Sequence, residues 1–550
     1  MNEVHYICKY TPVELIYALG GNPVPLNSML PSFPLSDQVV EPNICGYGKS
    51  IVEECLSGRV KRLVLVNCCD SIKSVYDVLS EWNGLDFLFM FDLMHTTSEC
   101  SKKKMESELK RFLKSWSEYG NAQFDKARFF SAFSHEEGVD GEYIALSGGR
   151  VGDELERLAR ESLSLPVRNL TCVSSRFLPP PDENIPEENL LSWYASSLLA
   201  QVPCMRMDDV LARRRIFEDE RVKGIVYHTV KFCDFYNFEY STLKNNADLP
   251  LLKIETDFTT QSLGQLGTRL DAFDETLSKG RKKDERRVGN MRVKGYFAGI
   301  DSGSTSTDVV VIDQDGRMVA SKIIPTGSGS AKSAGKALSE ALSAIGISLD
   351  EIVATVSTGY GRDRITHFDK SITEITCHAK GAFFLDPEVR TIIDIGGQDS
   401  KVILLGDDGE VVNFVMNDKC AAGTGRFLDF MARTLELTLP EMSAIGLDWK
   451  EDITISSMCT VFAESEVVSL VAENKAVPDI VHGLDVAVAT KTLSLVRRIG
   501  GREKYMMTGG VARNEGVVRE LGRLLGSSIE VSDKAQLVGA LGAALFAKEL

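Results

Sequence analysis

The sequence has no run of about 18 or more apolar residues, the length that a membrane-spanning helix needs. Its N-terminal stretch, MNEVHYICKYTPVEL, has neither the basic nor the apolar segment of a signal peptide. Positive charge is in deficit, since 62 Lys and Arg face 78 Asp and Glu and the formal net charge is −16. A broad nucleic-acid surface needs the opposite balance. These features predict a cytoplasmic protein that binds neither membranes nor nucleic acid.

A complete P-loop is also missing. Residues 46–50, GYGKS, resemble the end of one, but Asn43 stands where the pattern needs its first glycine, and no strand precedes it. We therefore assign no nucleotide site to this segment.

Cysteine, by contrast, is abundant. The 550 residues, of which 43% are hydrophobic, are enough for three or four domains and contain 12 cysteines. In a reducing compartment this number favours metal or redox sites over disulfides. Nine of the cysteines lie in the first 278 residues.

Two segments of that region have the same pattern, an apolar β-type run that ends in Cys-Asp. They are RLVLVNCCDSIKSVYDVL (62–79) and GIVYHTVKFCDFYNF (224–238). Because ligands gather at the carboxyl ends of parallel strands, we expect Cys69 and Cys233 to face one crevice. Further β-type runs near residues 88–94, 142–158 and 251–258 predict two Rossmann-like half-domains, about 1–140 and 141–278.

The other cysteines of this region differ in context. Three lie in turn-like segments, namely Cys8, Cys45 and Cys204. Cys55 falls inside a predicted helix, where we expect it to pack in a core. Cys100 and Cys172 have no supporting context, so we expect neither to belong to a site.

A polar, basic segment, KGRKKDERRVGNMRVK (279–294), follows and is typical of a solvated linker. It leads to a second domain, 295–550, that has three phosphate-binding signatures. In YFAGIDSGSTSTDVVVIDQDG (296–316) and TIIDIGGQDSKVILLGDDG (391–409), a strand delivers an acid, Asp301 or Asp394, to a polar or glycine turn. In YMMTGGVARN (505–514), a strand is followed by two glycines against which an adenosine can lie.

These signatures predict a site for ATP and Mg²⁺. We expect Asp301, Asp394 and Gln398 to position the Mg²⁺ and the attacking water. The residues expected to contact the nucleotide are Ser302, Gly303, Ser304, Thr305, Gly396, Gly397, Gly509, Gly510 and Asn514.

Two further cysteines stand ahead of amphipathic helices, Cys420 in DKCAAGTGRF and Cys459 in SSMCTVFAESEV. The positive end of a helix lowers the pKa of a thiol there and suits an anionic metal–sulfur cluster. Two cysteines are too few for a four-iron cluster, which usually takes four.

Together, the three signatures resemble the actin-like ATPase superfamily, which has a ribonuclease H-like, two-lobed fold. More narrowly, residues 295–550 resemble the activator ATPases of 2-hydroxyacyl-CoA dehydratases and benzoyl-CoA reductases. The motifs that carry this resemblance are STGYGR (357–362), ITEITCHAKGA (372–382), DIGGQDSK (394–401), NDKCAAGTGRFL (417–428), SSMCTVFAESEV (456–467) and TGGVARN (508–514). The resemblance implies a homodimer formed through this domain, in which Cys420 and Cys459 of both subunits hold one shared [4Fe–4S] cluster.

The first 278 residues are similar to the dehydratase or reductase component of the same systems. The matching stretches are CKYTPVELIYALGGNPV (8–24), NCCDSIKSVYDVL (67–79), LSGGRVGD (146–153), VKFCDFYNFE (230–239) and IETDFTTQSLGQLGTRLDAF (254–273). This similarity implies a second [4Fe–4S] cluster on three cysteines, Cys45, Cys69 and Cys233. The extra cysteines in credible positions, Cys8, Cys68 and Cys204, suit a double-cubane cluster with six ligands. Cys68 would instead belong to the core if its strand continues, since it then points away from Cys69.

The resemblance implies ATP-dependent transfer of low-potential electrons, received from a donor such as ferredoxin or flavodoxin. They would pass from the cluster of the ATPase domain to the N-terminal cluster, or to a separate dehydratase or reductase component. The substrate expected is a 2-hydroxyacyl-CoA, an aromatic acyl-CoA or a small molecule. Two alternatives stay open: a sugar or small-molecule kinase without iron, and a non-catalytic iron–sulfur carrier or regulatory ATPase.

Overall fold

The computed structural model describes residues 2–120, 122–133, 141–182, 184–209, 213, 216–246, 249–281, 295–327, 329–365, 368–417, 423–455 and 460–550. The chain divides into two compact units, Met1–Leu277 (unit 1) and Ser278–Leu550 (unit 2). Both are mixed α/β, which confirms the fold class expected from the sequence. Of the segment predicted as a linker, 279–281 belong to the end of a helix, and 282–294 lie outside the described residues.

Unit 1 is built from parallel strands and the helices that connect them. Its strands are β1 (Asn2–Tyr6), β2 (Gly21–Pro25), β3 (Arg62–Val66), β4 (Phe87–Phe91), β5 (Tyr143–Gly148), β6 (Val167–Asn169), β7 (Val222–Val230) and β8 (Leu251–Thr256). Its helices are α1 (Val13–Ala18), α2 (Gly46–Leu56), α3 (Asp70–Ser80), α4 (Glu99–Gly120), α5 (Lys126–Ser131), α6 (Asp153–Ser162), α7 (Glu187–Leu199), α8 (Asp234–Asn246) and α9 (Leu263–Arg281).

The described strands of unit 1 form two four-stranded sheets, one in each half of its sequence. The first has the order β2-β1-β3-β4 and the second the order β6-β5-β7-β8, and every pairing is parallel. β5 is buried along its whole length, as its continuous apolar run predicts for a parallel strand covered on both faces. The carboxyl ends of the strands in each sheet therefore lie at one edge, where the cysteine-bearing turns follow.

Unit 2 contains two further sheets and their helices. Its strands are β9 (Tyr296–Ser302), β10 (Ser306–Ile312), β11 (Met318–Pro325), β12 (Ile352–Thr358), β13 (Lys370–Ser371), β14 (Thr391–Ile395), β15 (Ser400–Leu405), β16 (Val411–Asn417), β17 (Tyr505–Thr508) and β18 (Ile529–Glu530). Its helices are α10 (Ser330–Ile345), α11 (Glu374–Leu385), α12 (Gly425–Thr434), α13 (Leu439–Ile445), α14 (Thr460–Ala472), α15 (Val477–Ile499), α16 (Glu515–Leu525) and α17 (Val538–Ala547).

The two sheets of unit 2 repeat one topology. Their orders are β11-β10-β9-β12-β13 and β16-β15-β14-β17-β18. In each, the first three strands in sequence pair antiparallel. The fourth pairs parallel with the strand that carries an acid near its end, and the fifth pairs parallel with the fourth. Asp301 on β9 and Asp394 on β14 occupy corresponding positions in this repeat, so the topology itself supplies two acids.

The buried helix α17 packs directly on the backbone of β9 and α11. A Cβ on Gly299 of β9 would lie 2.0 Å from the carbonyl oxygen of Ala540, and a Cβ on Gly542 would lie 1.8 Å from that of Cys377. Glycine is therefore required on both sides of this contact. Among the described residues, no helix combines the length and apolar content needed to cross a membrane.

The close contact of α17 gives a stability prediction. Gly542→Ala should lower the free energy of unfolding of unit 2 by about 1–3 kcal/mol, because the new methyl group overlaps a backbone carbonyl. The matched control is Gly335→Ala in α10, where an added Cβ meets no atom within 4 Å. There the change should stabilise by up to about 1 kcal/mol through helix propensity. Denaturant unfolding of the full chain measures both, and equal effects at the two positions would contradict the packing argument.

Candidate nucleotide and thiol sites

The three phosphate-binding signatures of unit 2 meet at one place. Gly397 of the second loop touches the first loop, since a Cβ there would lie 1.9 Å from Thr305 Oγ1. The third segment touches the second: Thr508 donates a hydrogen bond to Asp394 Oδ1 at 2.9 Å, and a Cβ on Gly509 would lie 2.8 Å from the same oxygen. The structure thus joins residues that are separated by more than 200 positions in the sequence.

Asp394 is the centre of a buried charge network. His378 Nε2 lies 3.3 Å from Asp394 Oδ1, and Lys401 Nζ lies 3.1 Å from Asp394 Oδ2. The same ammonium lies 3.4 Å from Glu374 Oε1 and 3.0 Å from Asp399 Oδ2. Burial opposes ionisation of Asp394, but His378 and Lys401 outweigh it and hold the pKa of this carboxyl well below its usual range. Asp394 is therefore a carboxylate at neutral pH.

The second acid has a different environment. Burial raises the pKa of Asp301 to about 6, and the nearby His378 opposes the shift. Burial, followed by repulsion from Asp301, raises the pKa of Asp308 on the paired strand to about 8. A cation placed between Asp301 and Asp394 would relieve this cost of burial. Ser302 adds a buried hydroxyl that has no hydrogen-bond partner among the described residues. Carboxylates, a free hydroxyl and glycine turns fit a magnesium nucleotide.

Sequence reasoning missed five members of this network, His378, Lys401, Glu374, Asp399 and Thr508. His378 and Glu374 lie in the motif ITEITCHAKGA and Lys401 ends DIGGQDSK, so the motifs contain them. The roles of His378, Glu374 and Lys401 depend on the packing of α11 against β14 and β15, which no local pattern reveals.

The start of α12 is hydrogen-bonded to the second phosphate loop. The N–H groups of Gly425 and Arg426 donate to the carbonyl oxygens of Gly396 and Gly397 at 2.8 and 2.9 Å. With its amide oxygen facing Arg426, Gln398 accepts hydrogen bonds from Nη1 at 2.7 Å and Nη2 at 3.2 Å. Gln398 therefore joins the loop to the first turn of α12.

Asn514, which the sequence predicts to contact the nucleotide, is the N-cap of a helix. Asn514 caps α16 by accepting from the Val517 N–H at 2.9 Å, and its amide donates to Asp485 at 3.2 Å. Cys420 and Cys459, predicted as cluster ligands, lie outside the described residues. α12 and α14 begin shortly after them, as the amphipathic pattern predicts.

The predicted cysteines of unit 1 follow strand ends or cap helices. Cys45 caps α2 and accepts a hydrogen bond from the Gly48 N–H at 3.4 Å, and Cys69 stands at the N-cap of α3. Cys233 follows β7 and precedes α8. Burial raises the pKa of Cys233 to about 12, and repulsion from Cys172, Cys45 and Cys69 adds to the shift. Cys45, Cys69 and Cys233 are therefore electrostatically coupled, and Cys172 is coupled to Cys233 as well.

Cys68 and Cys69 do not point to opposite faces. The alternation would hold only if the strand continued, but β3 ends at Val66. Interaction with the Cys68 thiol lowers the pKa of Cys69 to about 7, although burial opposes this shift. The same interaction raises the pKa of Cys68 well above its usual value.

A second group contains Cys8, Cys204 and one cysteine that sequence reasoning set aside, Cys172. Burial, with contributions from Cys204 and Cys172, raises the pKa of Cys8 to about 12. Cys172 follows the short strand β6, and its N–H donates to the Gly148 carbonyl at 3.1 Å. The signal that could have found it is the one used for Cys69 and Cys233, a cysteine just after a parallel strand.

The cysteines of unit 1 have the chemistry of cluster ligands. Among the described residues, no three His, Cys, Asp or Glu side chains form a group that could hold one metal ion. Iron–sulfur clusters are usually held by cysteine thiolates. Cysteines at strand ends and helix N-termini are chemically suited to that role.

The charge network around Asp394 yields a second prediction. Lys401→Met should destabilise unit 2 by about 3–5 kcal/mol, because it leaves two buried acids, Asp394 and Glu374, and the partly exposed Asp399 without their shared cation. It should also weaken binding of magnesium nucleotide. The control is Lys322→Met, which removes an exposed ion pair with Glu340 and should leave stability nearly unchanged. Denaturant unfolding and nucleotide titration measure the two effects. If the Lys401 variant proved as stable as the control variant, the charge network would make no contribution to the stability of unit 2.

Comparison with known proteins covers both units. Residues 298–547 match the model of the BadF/BadG/BcrA/BcrD ATPase family. Residues 8–138 and 142–277 match that of the 2-hydroxyglutaryl-CoA dehydratase D-component. The 2-hydroxyisocaproyl-CoA dehydratase activator of Clostridioides difficile is 47% identical over 252 residues, which cover 46% of this chain and 94% of that protein.

Another relative is the (R)-2-hydroxyglutaryl-CoA dehydratase activating ATPase of Acidaminococcus fermentans. It is 44% identical over 253 residues, 46% of this chain and 96% of that protein. The solved structure of the Clostridium difficile activator with bound ADPNP is 46% identical, covers 46% of this chain and 94% of its own, and has a TM-score of 0.45.

These matches confirm both resemblances drawn from the sequence, and with them the expectation of an ATP-hydrolysing enzyme. The chain belongs to the BadF/BadG/BcrA/BcrD ATPase family through its residues 298–547, and carries a 2-hydroxyglutaryl-CoA dehydratase D-component region on the same polypeptide.

Proposed function

We propose that this protein is an ATP-driven activator that delivers low-potential electrons to an iron–sulfur site in its own N-terminal unit. It thereby activates a 2-hydroxyacyl-CoA dehydratase or a related reductase. The observation that carries the proposal is the presence, on one chain, of an activator-type ATPase and a dehydratase D-component region with gathered cysteines. The relatives named as dehydratase activators support the same role.

Iron–sulfur clusters supply one-electron centres of low potential when bound. In unit 2 we propose Cys420 and Cys459 as ligands, two from each subunit of a homodimer. In unit 1 we propose Cys45, Cys69 and Cys233, whose thiols interact and cap or precede helices. The further cysteines Cys8, Cys68 and Cys204 are candidates for a larger, double-cubane centre.

The three loops that meet in unit 2 bind the nucleotide. Asp394 and Asp301 hold Mg²⁺, and Gln398 positions the attacking water. The glycines and hydroxyls of the loops at 302–305 and 396–397 contact the phosphates, and those at 509–510 contact the adenosine. The alignment of Asp394 by His378, Lys401 and Thr508 supports this assignment, because a carboxylate held from three sides is preorganised for a cation.

The two backbone hydrogen bonds from α12 to the second phosphate loop support coupling between ATP and electron transfer. When the phosphate loop changes position, α12 must move with it or lose both bonds. Residues 418–422, which include Cys420, connect β16 to this helix. A nucleotide-driven shift of the helix therefore reaches the segment of the proposed ligand directly.

Three partners follow from this proposal. They are a second copy of the chain, a low-potential electron donor such as ferredoxin or flavodoxin, and a separate dehydratase or reductase component that can also receive the electrons. The substrate class we propose is a 2-hydroxyacyl-CoA or an aromatic acyl-CoA. A kinase would need none of the gathered thiols, and no observation in the structure favours it.

The central test is the spectroscopy of the full chain under anaerobic conditions. Reduced protein mixed with Mg-ATP should show oxidation of the cluster of unit 2 in stopped-flow absorbance, with electrons appearing in unit 1. Cys420→Ala should remove the iron of unit 2 and abolish this phase, while nucleotide binding persists. Cys377→Ala is the control, since this cysteine is buried against α17.

Three results would contradict the proposal. Full iron content in the Cys420 variant would exclude its ligand role. Absence of iron and sulfide from the wild-type chain would point to a kinase. Iron without any ATP-dependent oxidation would indicate a carrier or a regulatory ATPase.

The contact between Gln398 and Arg426 gives a further prediction. Arg426→Met removes a charged hydrogen bond, for which about 1.5–3 kcal/mol is typical. ATP-dependent electron transfer should therefore fall about 10-fold or more, while ATP binding changes little. Arg433→Met is the matched control, because Arg433 lies exposed on the same helix and pairs only with Asp429 within the described residues. Equal rates of ATP-dependent electron transfer in the two variants would show that the Gln398–Arg426 contact does not couple ATP to electron transfer.

A further inference from the structure

The interior of unit 2 contains an acid that the proposed chemistry does not use. Asp485 lies within α15 and is completely buried. Its Oδ1 accepts a hydrogen bond from the side-chain amide of Asn514 at 3.2 Å, whereas its Oδ2 has no hydrogen-bond partner within the described residues. A buried carboxyl group with an unsatisfied oxygen costs folding free energy. Stability alone therefore does not account for Asp485.

Two glycines make room for the free oxygen. A Cβ on Gly516 of α16 would lie 2.0 Å from Asp485 Oδ2, and a Cβ on Gly446, directly after α13, would lie 2.8 Å from it. Because a closely packed interior has no space for such an overlap, a side chain at either position would displace the carboxyl group. The three helices α13, α15 and α16 therefore meet around Asp485.

Asn514 joins this carboxyl group to the third nucleotide segment. It is the last residue of YMMTGGVARN (505–514), and its amide oxygen accepts from the Val517 N–H at 2.9 Å to cap α16. The N–H of the next residue, Glu515, donates to Ser443 Oγ of α13 at 3.0 Å. The turn from this segment into α16 is thus held by two neighbouring helices, α13 and α15.

We propose that Asp485 is a positioning residue of the nucleotide site: by holding Asn514, it fixes the turn at 509–514 against which the adenosine lies. This inference rests on the proposed function, which assigns the adenosine to Gly509 and Gly510. Asp485 does not touch the nucleotide itself, since it is completely buried and acts through Asn514.

The surroundings of Asp485 favour its neutral form. Burial raises the pKa of Asp485 to about 7, while the hydrogen bond from Asn514 opposes the shift and repulsion from Glu520 of α16 adds to it. α13 faces the free oxygen with Gly446, which has no charge. Among the described residues, no cation offsets a charge on this carboxyl group. A neutral side chain that keeps an oxygen acceptor should therefore be able to replace it.

Titration of the full chain with MgADP, well below the Tm of each variant, tests the positioning role. Asp485→Ala removes the acceptor of Asn514 and should weaken MgADP binding about 10-fold, the equivalent of one hydrogen bond. Asp485→Asn keeps an oxygen acceptor and should bind MgADP as the wild type does. The control is Thr492→Ala, which removes a buried hydroxyl bonded to Val488 of the same helix. It should lower Tm and leave the affinity unchanged.

The outcomes separate this inference from the function on which it rests. If the wild type does not bind MgADP, the proposed nucleotide site fails. If the wild type binds it and Asp485→Ala binds it equally well, the positioning role is wrong and the nucleotide site stands. If Asp485→Asn loses as much affinity as Asp485→Ala, a neutral side chain does not hold the turn and the inference is wrong.

The pH dependence of stability gives a second test, which applies even where Asp485→Ala fails to fold. An exposed aspartate has a pKa of about 4, and the folded chain holds Asp485 at a pKa of about 7. The folded state is therefore destabilised as the pH rises between these two values. The Tm of unit 2 in the wild type should fall relative to that of Asp485→Asn from about pH 5 to about pH 7, and the difference should stay constant above this range.

Asp479→Asn is the control for this measurement. Asp479 lies in the first turn of the same helix, and hydrogen bonds from the N–H groups of Lys450 and Glu451 hold its pKa below the usual range. This variant should therefore be less stable than the wild type at neutral pH. If the Tm of Asp485→Asn followed that of the wild type at every pH, Asp485 would not be a buried neutral acid and the inference would be overturned.

Discussion

The second phosphate loop and α12 are joined by backbone hydrogen bonds, and the coupling proposed for unit 2 depends on this connection. Gly425 and Arg426 donate to Gly396 and Gly397, the glycines of the loop. Gly425 also approaches so closely that a Cβ there would lie 3.1 Å from the Gly396 oxygen. A side chain at that position would separate the helix from the loop. The phosphate-binding loop and α12 therefore behave as one element.

The charges around Asp394 explain why this element has a fixed position. Lys401 contacts Glu374 on α11 as well as Asp394 and Asp399. One ammonium thus connects β14, β15 and α11, while Thr508 adds β17. Because Asp394, Lys401 and Glu374 are buried, loss of one contact leaves an uncompensated charge in the interior. Among the described residues, Asp301 has no ion pair of this kind. Burial raises its pKa, so a bound metal ion would stabilise its charged form.

The sequence predicts those parts that depend on local order. Asp301 and Asp394 are predicted because each lies near the end of an apolar strand, next to a polar or glycine turn. Cys69 is predicted because it closely follows an apolar strand, and the carboxyl ends of parallel strands share an edge. Cys172 was missed because β6 has only three residues and makes no recognisable run. The placement of Cys68 was uncertain because it depended on where β3 ends. The network of His378, Lys401 and Glu374 depends on packing between distant segments, and single-sequence patterns contain no such information.

Unit 1 shows how charge compensation connects folding to ligand binding. Its core has a paired cation, Arg213, and two cations, Lys9 and Arg150, that form no ion pair within the described residues. A chain selected only for stability would replace an unpaired buried lysine by an apolar residue, which is often neutral or favourable. Under the proposed function, an anion bound in this unit would offset that charge. Its binding free energy would then add to the free energy of folding.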